Sequence, residues 1–146
     1  RYGYQYFYNN LYVKAGVGVT GKTWDEKPSE GVFFVNGNLT IDSNFVLPAD
    51  RFFMVVVSGS ITITNGVTQI DGIYVSDGEI SVTGNSNNAL EINGMFYSRS
   101  SVRLARSFTD KTLNNTSPAT IVNYRPSLLF NMPIKISKVI SGWRED

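Results

Sequence analysis

Twelve carboxylates and thirteen basic side chains carry the ionisable chemistry open to this 146-residue chain near neutral pH, because it contains neither cysteine nor histidine. That removes thiolate nucleophiles, imidazole bases, disulfides and Cys/His metal sites together. Hydrolytic or metal chemistry would have to come from clustered carboxylates: two facing one groove for glycoside cleavage, or several around Ca2+. Asp71, Asp77 and Glu79 come closest to such a cluster. They fall around turns, where Asp is favoured because it hydrogen-bonds its own backbone. Turn chemistry is therefore the expectation. No catalytic, cofactor-binding or metal-ligating residue is assigned, and the chain is expected not to be an enzyme.

Three other patterns could bind something. The stretch "GVGVTGKT" (16–23) satisfies the phosphate-loop spacing through Gly16, Gly21, Lys22 and Thr23. That motif needs a buried strand before it and a helix after it. A tyrosine-rich segment precedes this one, and Pro28 and Gly31 follow within a turn or two. Nucleotide binding is not expected. Thr40, Thr62 and Ser81 would align on one strand face, with Thr64 and Thr83 beside them. A flat threonine array is the layout of ice-binding solenoids, but Thr also suits the wet face of any strand, and Ser81 and Asp42 interrupt the array. Arg99, Arg103 and Arg106 in "RSSVRLARSF" form a candidate anion or glycan patch. The plainer reading is a charged final rung that blocks edge-to-edge growth. Thr40, Thr62, Ser81, Arg99, Arg103 and Arg106 are the candidate partner surface.

The elements that would carry these residues repeat. "FFVNGNLTI" (33–41), "MVVVSGSITI" (54–63), "IYVSDGEISV" (73–82) and "LEINGMFYS" (90–98) each place an apolar strand, a short polar turn with Gly, and a second strand. The glycines Gly37, Gly59, Gly78 and Gly94 are separated by 22, 19 and 16 residues. Such a loose period marks a solenoid. The expected fold is mainly β: a short right-handed parallel β-helix of four to five coils, handedness following the usual crossover rule. The glycines would turn one corner, some at φ > 0. Inward columns would be Val35–Val57–Val75–Ile92, Leu39–Ile61–Ile80 and Ile41–Ile63–Val82. Asn36, Ser58, Asp77 and Asn93 would form a polar ladder beside the glycines.

The second strand of each coil alternates, so one face is wet. The first strand is apolar on both faces, with Phe34, Phe52, Met54, Val56 and Tyr74 pointing outward, so something covers it. Two segments qualify. Residues 1–16 place Tyr4, Phe7, Tyr8, Leu11, Tyr12 and Ala15 at helical spacing before Gly16, although Tyr2, Tyr4, Tyr6 and Tyr8 also fit a strand. The tail offers Leu128, Leu129, Phe130, Met132, Ile134 and Ile136, with Pro126 and Pro133 preventing one continuous helix. Residues 17–30 and 107–120 read as loops. The chain is read as one domain, 1–146: a lead-in over 1–30, coils over 31–106, and a loop and docking tail over 107–146.

A net charge of +1 supplies no field for nucleic acid or anionic lipid. No apolar run approaches the ~18–20 residues of a membrane span. The chain opens on Arg1 rather than Met, so a piece of a longer protein is the expectation.

The succession "GVFFVNGNLTI", "VVVSGSITI", "IDGIYVSDGEI", "LEINGMFYS", "VRLAR" and "NYRPSLLFNMP" with Trp143 resembles a domain at the C-terminal ends of large cell-surface proteins of uncultivated, small-genome candidate-phyla bacteria. The resemblance runs from about residue 31 onward, and "NYRP" (123–126) after "SPATIVN" is its most distinctive piece. It implies an exported β-helical protein without assigned catalytic residues. The chain is also distantly similar to bactofilins, β-helical polymer-forming proteins, but departs from them in its aromatic N-terminus and long tail. The expected function is a non-enzymatic structural or adhesive module at the cell surface. Its partner would be the rest of a larger surface protein or a surface glycan, with no cofactor, no nucleic acid and no membrane span. The alternatives are a carbohydrate-binding or carbohydrate-active β-helix and a self-assembling scaffold. The tail and the arginines are expected to oppose self-assembly.

Overall fold

A computed structural model describes residues 2–142; Trp143 lies outside the described residues. The chain winds a parallel β-solenoid of about four turns. Its largest face is a six-stranded parallel sheet made of β1 (Val19–Gly21), β2 (Gly31–Val35), β4 (Phe53–Val57), β6 (Gln69–Ser76), β9 (Leu90–Ser98) and β12 (Thr120–Asn123), in that order. The second face stacks β3 (Leu39–Ile41), β5 (Ile61–Ile63), β7 (Ile80–Val82) and β10 (Val102–Leu104). A short third face pairs β8 (Asn85–Ser86) with β11 (Ser107–Phe108).

Two of the three expected columns form. Leu39, Ile61, Ile80 and Val102 lie side by side, as do Ile41, Ile63, Val82 and Leu104. The first column does not form as expected. Val35 pairs with Val57, but Val57 pairs with Ser76, Val75 lies beside Val56, and Ile92 lies beside Ile70. Ser76 occupies the position read as Val75. It is fully buried and donates its hydroxyl to the Gly78 carbonyl at 2.6 Å. The one-residue shift turns Tyr74 inward. Its ring meets Trp24, Phe53 and Phe96, and its hydroxyl donates to the Asp71 carbonyl. Burial, with a smaller contribution from the Asp71 charge, pushes that phenol well above its ordinary pKa.

The corner glycines serve two needs: Gly37 holds φ 139° with open space around it, as expected, whereas Gly59 and Gly78 are needed for space. Gly59 and Gly78 each donate an amide to the carbonyl of the glycine one coil back, and a Cβ on either would come within 3 Å of that backbone. Gly94 does not turn this corner. It sits mid-strand in β9, paired with Gly72. The polar ladder is likewise shorter than expected. Ser58 donates to Asn36 at 2.8 Å, whereas Asp77 accepts the Tyr4 amide and Asn93 belongs to a separate column with Asp71 and Asn123.

Both candidate segments cover the outer face of the large sheet. The helix α1 (Tyr4–Phe7) widens into a π-helical turn over Tyr8–Val13, and Gly16 ends it at φ 66°. Tyr4, Tyr8 and Tyr12 stack along it at centroid spacings of 5.4 and 5.1 Å, and the Phe34 ring stands across all three at interplanar angles of 69–88°. Phe34, Met54 and Val56 are consequently fully buried, each contributing about 1.5–3 kcal/mol relative to exposure. The tail forms α2 (Ser127–Phe130) and α3 (Ile134–Gly142), separated by Pro133. It runs back toward the N-terminal end: Tyr6 donates to the Val139 carbonyl and Lys135 to the Ala15 carbonyl. Only part of the expected tail docks. Leu128 and Ile136 are buried, whereas Leu129, Phe130 and Ile134 face solvent.

The two segments read as loops carry structure. Residues 17–30 contain β1 and a 3-10 turn at Trp24–Glu26; residues 107–120 contain β11, a 3-10 turn at Leu113–Asn115 and the start of β12. Trp24 is buried against Phe45, Phe53 and Tyr74 and donates its indole N–H to the Ser43 carbonyl. It closes the interior at the N-terminal end. Arg125 of the "NYRP" stretch fastens the tail. It meets Asp71 at 3.1 Å and donates to the Leu47 and Pro48 carbonyls, both at 2.8 Å.

Candidate functional site

The polar corner between the two large faces opens, at the N-terminal end, into two adjoining clefts. The first, about 460 Å3, lies between the N-terminal helix and the first coil; Tyr8, Gln5, Thr20, Lys22 and Asn36 line it. The second, about 280 Å3, is lined by Lys22, Thr23, Asp25, Asn38, Thr40 and Asp42. Lys22 lies between them, and the first falls within the size range of small-ligand sites.

Local folding explains why these side chains are available. Asn36 and Asn38 hold their carbonyl oxygens in the corner ladder, where Oδ1 accepts from the Ser58 hydroxyl and the Ser60 amide respectively. Among the described residues, neither side-chain amide nitrogen donates to a protein group, so both remain for a ligand. The stacked tyrosines use their faces on one another, so Tyr8 has no face left for a ligand, and Tyr4 and Tyr8 both line the first cleft. The site therefore offers hydroxyls, carboxamides, one ammonium and, in the second cleft, two carboxylates.

The phosphate-loop pattern fails in three dimensions. Val19–Gly21 is a strand and Thr23 caps the 3-10 turn. The Glu26 carboxylate accepts the amides of Lys22 and Thr23, the donors a phosphate would need. Those two bonds hold Glu26 below its ordinary pKa. The sign follows from linkage: a depressed carboxylate contributes stability above its unfolded value, and that contribution is lost as pH falls through the folded value. A carbon-detected NMR titration is expected to place Glu26 below the ordinary midpoint of about 4.3, with loosening of the Trp24–Glu26 turn over the same acidic range. A midpoint at or above the ordinary value would show that the capping box is not formed.

The sequence-selected residues separate into groups. Thr40, Thr62 and Ser81 align as expected, and Arg103 continues their column on β10; Thr40 also lines the second cleft. The three arginines do not form a patch. Arg99 lies 3.9 Å from Asp77 at the corner, and Arg103 is exposed. Arg106 is buried, donating to the Val67 and Thr64 carbonyls at 2.6 and 2.8 Å; burial lowers its pKa. Asp71, Asp77 and Glu79 do not converge either. Asp71 is not a turn residue but a buried strand residue saturated by Leu47, Gln69, Asn93 and Arg125. Glu79 accepts from Ser101. The acids that do share a cleft, Asp25 and Asp42, were not singled out from the sequence. Their signal was faint, because 17 residues separate them and the coil alone brings them to one cleft.

Among the described residues, no group of three or more Asp or Glu side chains is placed to hold a metal ion, and no helix is long and apolar enough to cross a membrane. The chain matches no family model, no curated protein and no solved structure. Fold and site define a class: a short parallel β-solenoid, clamped along one face by its own two ends, with a polar double cleft at its N-terminal corner.

Proposed function

We propose that this protein is a non-enzymatic adhesive module of a cell surface, and that its N-terminal corner binds a neutral glycan chain. The observation that carries the reading is the pair of clefts sharing Lys22, walled by tyrosine hydroxyls and unpaired asparagine amides. Sugars present dense, alternating donors and acceptors, and these groups answer them without a strong net charge. The rigid solenoid behind the site keeps the ordering cost of binding small. The cell-surface placement rests on the resemblance of the coils and the "NYRP" stretch.

The test is calorimetric titration with cellohexaose, maltohexaose and chitohexaose, with polygalacturonate as the charged comparison. Binding of an uncharged hexamer with a sub-millimolar Kd is expected, more favourable than about −4 kcal/mol. Tyr8→Phe and Lys22→Met should each weaken it severalfold to tenfold, the worth of one hydrogen bond of about 1 kcal/mol, without changing thermal stability. Absence of binding by all three hexamers, or binding indifferent to both substitutions, would remove the reading. Release of shorter sugars that stops in Asp25→Asn or Asp42→Asn would replace adhesion with catalysis.

A further inference from the structure

The two ends of the solenoid are finished differently. At the N-terminal end β1 extends the large sheet and Trp24 plugs the interior. At the C-terminal end nothing equivalent is present among the described residues. Val102 and Leu104 continue two interior columns whose other members are at most 1% exposed, yet they are themselves 43% and 47% exposed. Beyond β9, the strand β12 pairs only with residues 90–93, and among the described residues no other strand continues the sheet past Asn93 on that side. Met95 on β9, Val122 on β12 and Tyr124 just after it are exposed as well. Of the arginines expected to guard it, Arg106 is folded inward and Arg99 leans on Asp77, which leaves Arg103, exposed between Val102 and Leu104, as the one charge on β10.

We propose that this C-terminal rung is the interface of a closed two-fold dimer, in which two copies meet end to end through β10 and the part of β9 that β12 leaves uncovered. A bare interior cross-section with unpaired strand edges is a template for another chain. A second copy fits for three reasons. A two-fold axis sets the two edges antiparallel, so each supplies the donors and acceptors the other lacks. The surface is large enough: the last rung spans 22 residues by register, Ile80 to Val102, within the roughly 20–30 residues per side of a stable interface. The rung carries both signs, Arg103 and Lys111 with Glu91 and Asp110, so self-contact is not opposed by a one-sign field. The Trp24 plug denies the C-terminal rung a matching surface on the other end. Association therefore closes at two rather than running on as a fibre. The dimer leaves both double clefts at its far ends, and it stands independently of what those clefts bind.

Sedimentation velocity from about 1 to 200 μM, with interface contacts expected at the scale of specific complexes, should show a species of twice the 16.2 kDa protomer mass. The chain lacks cysteine, so single cysteines report geometry cleanly. Spin labels at Arg103→Cys should give a short inter-copy distance, and labels at Asp25→Cys a long one. Val102→Lys combined with Leu104→Lys should yield a monomer with an unchanged circular dichroism spectrum. A monomer throughout the range, a ladder of larger species, or a dimer with the short distance at Asp25 would each overturn the proposal. The distance measurement holds even if the double variant fails to fold.

Discussion

Replacing Arg125 with alanine is expected to remove about 3 kcal/mol of stability, the lower end of the cost of breaking a buried ion pair from one side. The guanidinium side chain is 15% exposed and its partner Asp71 is 3% exposed, so water cannot readily replace what is lost. The substitution also strands the Leu47 and Pro48 carbonyls and frees Ser127. For a domain of this length the midpoint should fall by about 10 °C, at roughly 2–4 °C per kcal/mol. The tail should loosen before the coils do, because Arg125 ties the segment leading into α2 to the loop after β3. Hydrogen exchange is expected to show lost protection at Ile136, whose amide donates to the Pro133 carbonyl, while the amides of β4 stay protected. Asp71→Asn in the Arg125→Ala background should cost less than it does alone, since the charge it removes is already unpaired. Additivity within about 0.5 kcal/mol would show that the two residues are not coupled.

That clamp was barely legible in the sequence. The partners stand 54 residues apart, and Asp71 could be read as a turn residue because Gly72 follows it. The usable signal was an acid inside the apolar run "QIDGIYV", which requires a distant cation once the run is a buried strand. The second face, by contrast, could be read position by position. Leu-Thr-Ile, Ile-Thr-Ile and Ile-Ser-Val each alternate, and alternation fixes phase. The large sheet lost that information because it is buried on both sides. With both faces apolar, a slip of one residue leaves the pattern unchanged, and so Val75 was placed where Ser76 sits. The clefts were legible only as ingredients. Lys22, Asn36 and Thr40 become neighbours through the coil and not through spacing along the chain. Their grouping depends on β1, in a segment whose glycines and charges suggested a loop.

Gly94→Ala is the sharper test of the register, because the substitution is chemically small. A Cβ at Gly94 would lie 1.9 Å from the Gly72 carbonyl oxygen and 2.8 Å from its carbon, and the residue holds φ 154°. The obstacle is the backbone of the neighbouring rung, which cannot rotate aside as a side chain would. The conformation alone costs about 1–3 kcal/mol for a residue with a side chain. Relieving the contact must also part β6 from β9, the pair that carries the Asp71–Asn93 bond and the last full coil. A loss of at least about 3 kcal/mol, or failure to fold, is expected, at the upper end of single substitutions. Gly66→Ala is the control: a Cβ there meets nothing within 4 Å, and φ is not positive. It should change stability by no more than about 0.5 kcal/mol, or raise it slightly by restricting the unfolded chain. Had Gly94 turned the corner in line with Gly37, Gly59 and Gly78, an alanine would crowd the polar ladder and leave the β6–β9 pairing intact. Chemical-shift changes centred on Gly72 and Phe53, and not on Gly78, separate the two arrangements, since Gly72 in turn backs closely onto Phe53, whose carbonyl oxygen a Cβ at Gly72 would meet at 2.9 Å.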